Sequence, residues 1–164
     1  MKNDPNWEKK LEDEWGRALV HESGHALMAV LQGIVCHGIY FLKDGKKACA
    51  LINPLPQPSE YSRKHYLFLA AGSAAEQITL GDQDYVASKS DRLLYGNHTA
   101  PSFEESVREA CAILLGNARH LMRLVSTMKE NIRQADYNFS HLPERDVYID
   151  GVLKKPAVLL SDKE

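Results

Sequence analysis

Two histidines four residues apart, with a glutamate directly after the first, form the pattern HExxH at His21-Glu22-Ser23-Gly24-His25. On an α-helix, residues four apart lie one turn apart on the same face, so His21 and His25 can offer ring nitrogens to one metal ion. Zinc is the expected ion. Glu22 is placed to take a proton from a bound water without ligating the ion itself. This pattern is typical of a zinc metallopeptidase.

A simpler interpretation is an amphipathic helix whose histidines are ordinary, partly buried side chains. The flanks argue against it, because apolar residues surround the motif at 18–20 and 26–31 and predict a buried helix. Buried imidazoles and carboxylates need polar partners, since unpaired buried polar groups are costly. A metal ion supplies them, so the flanks favour a metal site.

Composition limits the class of protein. The 164 residues include 44% hydrophobic ones, enough for the core of one domain. A formal net charge of -2 gives no electrostatic reason to expect nucleic acid or an acidic membrane as partner. Three widely spaced cysteines indicate reduced thiols. Residues 1–15 are charged and lack the apolar core expected of a signal peptide, and the longest apolar runs are too short for a membrane span. We predict one cytoplasmic domain over 1–164, with a core at 1–135 and an extension of undefined structure at 136–164.

The elements around the motif predict how it is held. The helix that carries HExxH is expected to start after Asp4-Pro5 and to run to Gln32, with Gly33 as its stop. The alternative is two helices divided at Gly16. Residues 34–42 and 47–52 are rich in β-branched and apolar residues and flank a turn at 43–46, which predicts a β-hairpin. The edge of this hairpin is a candidate to bind an extended peptide through Ala50, Leu51 and Ile52. The alternative is a sheet that only covers the helix.

A second helix is predicted from a cap at Ser59 to Leu80, ended by Gly81. Its middle, residues 70–76, consists largely of small residues that let two helix backbones approach closely, so we place it against the HExxH helix. A long polar connection, 82–101, follows, and such connections are often functional.

A third helix is predicted to run unbroken from the capping box at Ser102 and Glu105 to about Ile132. Its apolar stripe has a period of about 3.5 residues and is interpreted as core-facing rather than as a coiled-coil seam. Residues 147–153 fit a further hairpin. The predicted fold class is α+β, mainly helical: a zincin-like HExxH helix packed on a second helix with a small β-hairpin or sheet, followed by a long C-terminal helix.

Three segments together resemble a known family. His21 to Ala26, then residues 69–76 with Gly81, then Ser90-Asp91 before an apolar pair, are similar in order and approximate spacing to the peptidase domain of the FtsH family of ATP-dependent zinc metalloproteases. The resemblance spans about 15–95, with a weaker similarity over 102–132. It implies that His21 and His25 are the first two zinc ligands, Glu22 the general base and Asp91 the third ligand. The chain has no GxxxxGK[ST] phosphate loop, so we expect activity without ATP.

The third ligand has alternatives, because Gly96 and Pro101 interrupt the chain after Asp91, where the family continues in a regular helix. The other candidate acids are Asp84, Glu76 and Glu104. We therefore predict a zinc-dependent metalloendopeptidase that cleaves peptide bonds by Glu-assisted attack of a zinc-bound water. The alternative is a zinc-stabilised, non-catalytic binding or regulatory domain derived from such a peptidase. A peptide or unfolded protein is the expected substrate and a separate unfoldase or adaptor a candidate partner; the sequence leaves the oligomeric state open.

Overall fold

The computed structural model describes residues 16–42, 48–52, 54–85, 88–96, 101–134 and 157–160. In chain order the elements are α1 (Gly16–Leu31), β1 (Cys36–Leu42), β2 (Ala48–Ile52), a 3₁₀ turn (Pro58–Glu60), α2 (Arg63–Leu80), α3 (Lys89–Tyr95), α4 (Phe103–Leu115), α5 (Ala118–Gln134) and β3 (Ala157–Leu160).

Helix α1, which carries HExxH, is buried along most of its length and packs on α2. The two backbones approach closely at Gly24, where a Cβ would lie 2.5 Å from the carbonyl oxygen of Ala71 and from the Cβ of Ala75. Small residues are therefore needed on both sides of this contact. The predicted packing of the small-residue segment against the HExxH helix is confirmed.

Helix α2 begins later than predicted. Ser62, not Ser59, is its N-cap, and the Ser62 backbone N–H donates to Nδ1 of His65 at 3.0 Å. Ser59 lies in the preceding 3₁₀ turn, which Pro58 favours because it fixes φ and has no N–H to satisfy. The predicted end is confirmed: Gly81 adopts a φ of 84°, in the left-handed region, and its N–H donates to the carbonyl of Gln77.

The short strands are paired in the order β2-β1-β3. Strands β1 and β2 are antiparallel with Ile39 opposite Ala50, and the register shifts between Cys36 and Gly38. Strand β3 runs parallel to β1. Among the described residues, β2 therefore has a strand on only one of its two edges.

The predicted α+β class is wrong, because the described chain is mainly helical and its five α-helices make up the body of the molecule. Among the residues whose burial is described, the buried apolar core lies on the helices apart from Cys36 and Ile39. The fold class depends on which elements bury the core, and strand propensity over 34–52 does not report this. Packing of helix on helix defines this fold.

The prediction of one long C-terminal helix is also wrong. Helix α4 ends at Leu115 and α5 begins at Ala118, with Gly116 and Asn117 between them. The Asn117 side chain donates to the carbonyl of Ile113 at 2.9 Å, satisfying a carbonyl at the end of α4. The capping box at the start of α4 is confirmed, with the Glu105 N–H donating to Ser102 Oγ at 3.1 Å.

The apolar stripe of these two helices faces the core, as predicted. Its buried members are Val107, Leu114, Leu121, Val125 and Met128. The predicted helix over 6–15, the turn at 43–46 and the hairpin at 147–153 lie outside the described residues. Within the described part of the chain, none of the helices combines the length and apolarity needed to cross a bilayer.

Candidate metal centre

Three ligand-type atoms converge where α1 meets α3. Nε2 of His21 lies 2.9 Å from Oδ2 of Asp91, Nε2 of His25 lies 3.1 Å from the same oxygen, and the two nitrogens are 3.1 Å apart. His21 and His25 are buried, and the Asp91 side chain is 15% exposed. These three residues form a group that could hold a metal ion.

The spacing of the three atoms fits a small tetrahedral ion. Bonds of about 2.0–2.1 Å from zinc to nitrogen and oxygen place tetrahedral ligand atoms roughly 3.3 Å apart, close to the distances found here. Two buried Nε2 atoms at 3.1 Å also repel each other through their lone pairs unless a proton or a cation lies between them. The donor set, two imidazoles and one carboxylate, suits zinc.

Both histidines are held through their other ring nitrogen. Nδ1 of His25 donates to the carbonyl oxygen of Phe68 at 2.7 Å, and Nδ1 of His21 donates to Oε2 of Glu76 at 2.8 Å. A proton on Nδ1 leaves Nε2 of the neutral ring with the lone pair that a metal needs. Such partners fix both the tautomer and the orientation of metal-binding histidines.

Glu76, the hydrogen-bond partner of His21, forms an ion pair with Arg17. Glu76 is fully buried, and its Oε1 accepts from Nη1 of Arg17 at 2.7 Å. The other arm of the Arg17 guanidinium donates to Oδ1 of Asp82, also at 2.7 Å. Because a buried carboxylate is costly without a partner, this chain of contacts explains how Glu76 is retained beside His21.

Glycine at position 72 leaves room beside the two imidazoles. A Cβ at Gly72 would lie 2.4 Å from Nε2 of His21 and 2.5 Å from Nε2 of His25, far closer than carbon and nitrogen approach. Helix α2 therefore passes the histidines through a position that has no side chain. The space next to both ligand nitrogens stays open as a result.

Asp91 lies on the seven-residue helix α3. Contacts with α4 and with the residues just before it hold this helix on the C-terminal side of Asp91. The buried Tyr95 hydroxyl donates to the carbonyl of Pro101 at 2.7 Å and lies 2.8 Å from Ser106 Oγ. Arg92 pairs with Glu104 at 2.7 Å. These contacts hold a short helix, which would be unstable alone, against the rest of the molecule.

The charges of the cluster depend on one another. Burial lowers the pKa of His21, but hydrogen bonds with Asp91 and Glu76 outweigh it and raise the pKa to about 10. Burial acts to raise the pKa of Asp91, but His25 and His21 outweigh it, and the pKa of this carboxyl lies well below its usual range. The carboxylate is thus ionised and ready to balance a positive charge, whether a proton or a cation.

Glu22 contacts a different element. Its Oε2 accepts a hydrogen bond from the backbone N–H of Ala50 in β2 at 2.7 Å. Burial raises the pKa of Glu22, while the charges of His25 and His21 act to lower it. A carboxyl whose pKa is raised towards neutral is better suited to move a proton in both directions.

The predicted site residues fall into two groups. His21, His25 and Asp91 are brought together. Glu22 follows His21 in sequence and interacts electrostatically with all three. The alternative acids lie elsewhere: Glu76 meets the outer nitrogen of His21, Glu104 pairs with Arg92, and Asp84 lines a cavity of about 380 Å³ next to Arg17.

The strand edge predicted to bind an extended peptide does not have all of its backbone groups available. The N–H of Ala50 is engaged by Glu22. Neighbouring residues of a strand alternate in direction, so the backbone of Leu51, which lies opposite Gly38, points towards β1. Ile52 pairs with Cys36, beyond the register shift.

Sequence reasoning missed the roles of Arg17, Gly72 and the Phe68 carbonyl. Arg17 carried a signal, because it lies four residues before His21 and so on the same helix face. Gly72 carried a weaker one, as a glycine within a helix. The Phe68 carbonyl carried none, since any residue supplies a backbone oxygen.

Comparison of the chain with protein-family models, with curated proteins and with solved structures finds no match in any of the three. The site geometry is therefore the basis for the function proposed below.

Proposed function

We propose that this chain is a zinc-dependent metallopeptidase of the FtsH type, with His21, His25 and Asp91 as zinc ligands and Glu22 as general base. The observation that carries the proposal is the convergence of two imidazole nitrogens and one carboxylate oxygen at separations of 2.9–3.1 Å. Hydrogen bonds to the outer nitrogens of both histidines support it, because they leave the inner nitrogens available to an ion.

When bound, zinc supplies a Lewis acid that makes water more acidic and polarises the scissile carbonyl. The chain supplies the proton transfer. Glu22 takes a proton from the attacking water and later gives it to the amine nitrogen of the departing peptide. The raised pKa of Glu22, caused by burial, suits it to both steps.

An unfolded protein or extended peptide is the proposed substrate, held near Ala50, Leu51 and Ile52 on the outer edge of β2. This edge lies next to the proposed base, as the Glu22–Ala50 hydrogen bond requires. A separate unfoldase or adaptor and a cytoplasmic location belong to the same proposal.

The experiment is cleavage of casein by zinc-loaded wild type, by Glu22→Gln and by the matched control Glu60→Gln, whose side chain is exposed. Wild type and Glu60→Gln should cleave equally. Glu22→Gln keeps the size of the side chain and an oxygen for the Ala50 N–H, yet should lose activity by roughly 100- to 10,000-fold.

Zinc content measured on the same samples makes each outcome decisive. Full zinc in Glu22→Gln with lost cleavage supports the proposal. Cleavage retained by Glu22→Gln would reject Glu22 as the base. A wild type that binds zinc and cleaves nothing would overturn the peptidase proposal in favour of a non-catalytic zinc domain.

A further inference from the structure

The hydrogen bond between Glu22 and Ala50 joins a side chain of α1 to the backbone of β2 at 2.7 Å. It is short, and its acceptor is a carboxylate, so it belongs to the stronger class of charge-assisted hydrogen bonds. From this contact we infer that the backbone N–H of Ala50 is the positioning group of the general base, fixing the direction in which Glu22 presents its other oxygen. The inference rests on the function proposed above.

The direction of this N–H follows from the register of β2. In an antiparallel ladder, the N–H and C=O of one residue point to the same side, and neighbouring residues alternate. Ala50 lies opposite Ile39 of β1 but donates to Glu22, so Ala50 is an outward-facing residue of β2. Its N–H takes no part in the pairing with β1.

The positioning acts on one oxygen of Glu22. A carboxylate on a flexible side chain turns about its last bond, and the hydrogen bond from Ala50 restricts this rotation. Engagement of Oε2 by Ala50 leaves Oε1 as the oxygen free to meet the attacking water. The base is thereby held in its working orientation before a substrate arrives, which reduces the ordering needed in the transition state.

The outward direction of the amide gives a clean test. Proline at an outward-facing position of an outer strand removes the N–H without removing a ladder hydrogen bond. Ala50→Pro therefore deletes the donor to Glu22. Glu60→Gln, an exposed residue outside the site, is the control that should behave as wild type. Ala50→Gly retains the N–H and controls for loss of the side chain.

Peptide hydrolysis by the zinc-loaded full chain is the measurement. We expect Ala50→Pro to lower kcat roughly 10- to 100-fold, the loss typical of a hydrogen bond to a charged group, with KM and zinc content unchanged. Glu60→Gln should keep the wild-type kcat, and Ala50→Gly, which retains the N–H, should lose less kcat than Ala50→Pro. In a Glu22→Gln background, Ala50→Pro should have no further effect, because the amide acts through Glu22.

If Ala50→Pro fails to fold, lactic acid can replace alanine at position 50. The ester that results also lacks the N–H that donates to Glu22, but it adds no proline ring. This ester variant should show the same fall in kcat. An ester variant as active as wild type would overturn the inference while leaving the peptidase standing, as would an equal loss of kcat in Ala50→Pro and Ala50→Gly. A wild type without hydrolytic activity would overturn the proposed function and this inference with it.

Discussion

Glu76 and His21 form a buried carboxylate–imidazole pair, with Oε2 of Glu76 2.8 Å from Nδ1 of His21. The pair joins α2 to α1 directly behind the candidate ligand nitrogen of His21. Since the carboxylate accepts the Nδ1 proton, it makes Nε2 a better electron-pair donor and fixes the ring plane. Glu76 is therefore expected to act on the metal without touching it.

Glu76→Gln should weaken zinc binding about 10- to 100-fold, the range seen when partners of metal-binding histidines are removed. Competition with a chromophoric chelator measures this affinity. Glu60→Gln, on the 3₁₀ turn, should bind zinc as wild type does. An unchanged affinity in Glu76→Gln would show that His21 does not depend on this partner.

Gly72→Ala should impair the metal site more than the fold. Its methyl group would lie 2.4 Å from Nε2 of His21 and 2.5 Å from Nε2 of His25, so the imidazoles must move apart or α2 must shift. We expect a loss of about 1–3 kcal/mol in the free energy of unfolding and zinc binding below one ion per chain.

Gly116→Ala is the matched control, because a Cβ there would meet its nearest atom at 3.4 Å, within ordinary contact distance. Thermal unfolding and zinc content should both stay close to wild type. If Gly72→Ala behaved like Gly116→Ala, the space beside the imidazoles would not be required for the site.

Arg17→Ala should destabilise the fold although Arg17 lies near the surface. It removes the cation that neutralises the fully buried Glu76, leaving a carboxylate with only its contact to His21. Because the Arg17 side chain is itself 33% exposed, we expect about 1–3 kcal/mol rather than the larger cost of a wholly buried pair.

Arg63→Ala provides the comparison, since it breaks the exposed ion pair with Glu109. Such a pair contributes about 0–1 kcal/mol. Chemical denaturation of both variants measures the difference. Equal losses would mean that Glu76 does not need Arg17.

Zinc uptake at pH 7.5 should release protons. Hydrogen bonds with Asp91 and Glu76 raise the pKa of His21 from 6.5 to about 10 against the effect of burial, so the ring holds a proton at this pH when no ion is bound. Zinc binds the deprotonated ring, and the proton must leave. Calorimetric titration in buffers of different ionisation enthalpy should give a slope of about one proton per zinc. A slope of zero would contradict the raised pKa.

The same shift sets a stability window for the metal-free protein. A raised pKa of His21 contributes stability that is fully present below pH 6.5 and is lost as the pH rises through about 10. The free energy of unfolding after treatment with a chelator should therefore fall between pH 8 and pH 10.5. A flat profile over that range would contradict the linkage.

Much of the local structure follows from the sequence because its signals are local. The HExxH spacing requires a helix to bring His21 and His25 together, and Gly81 and the Ser102 capping box mark helix ends by backbone chemistry alone. The small residues around Ala71 predict close packing on the HExxH helix, because only small side chains allow two helix backbones to approach as closely as they do at Gly24.

The remaining features depend on contacts across the fold. Apart from the family resemblance at Ser90-Asp91, nothing in the sequence distinguishes Asp91 from Asp84. Only the placement of α3 beside α1 brings the Asp91 oxygen within 3 Å of His21. The break at Gly116 was outweighed by the continuous apolar stripe on both sides of it. The fold class depended on how much core each element buries, which local strand propensity does not report.

Zinc stoichiometry after exhaustive dialysis tests the central claim most directly, because the account requires Asp91 to complete a three-residue site with His21 and His25. Wild type and Asp84→Ala, the latter lacking a rival acid that lies outside the cluster, should each retain about one zinc per chain. Asp91→Ala should retain well under one, since two imidazoles alone bind the ion weakly. Full zinc in Asp91→Ala would contradict the account.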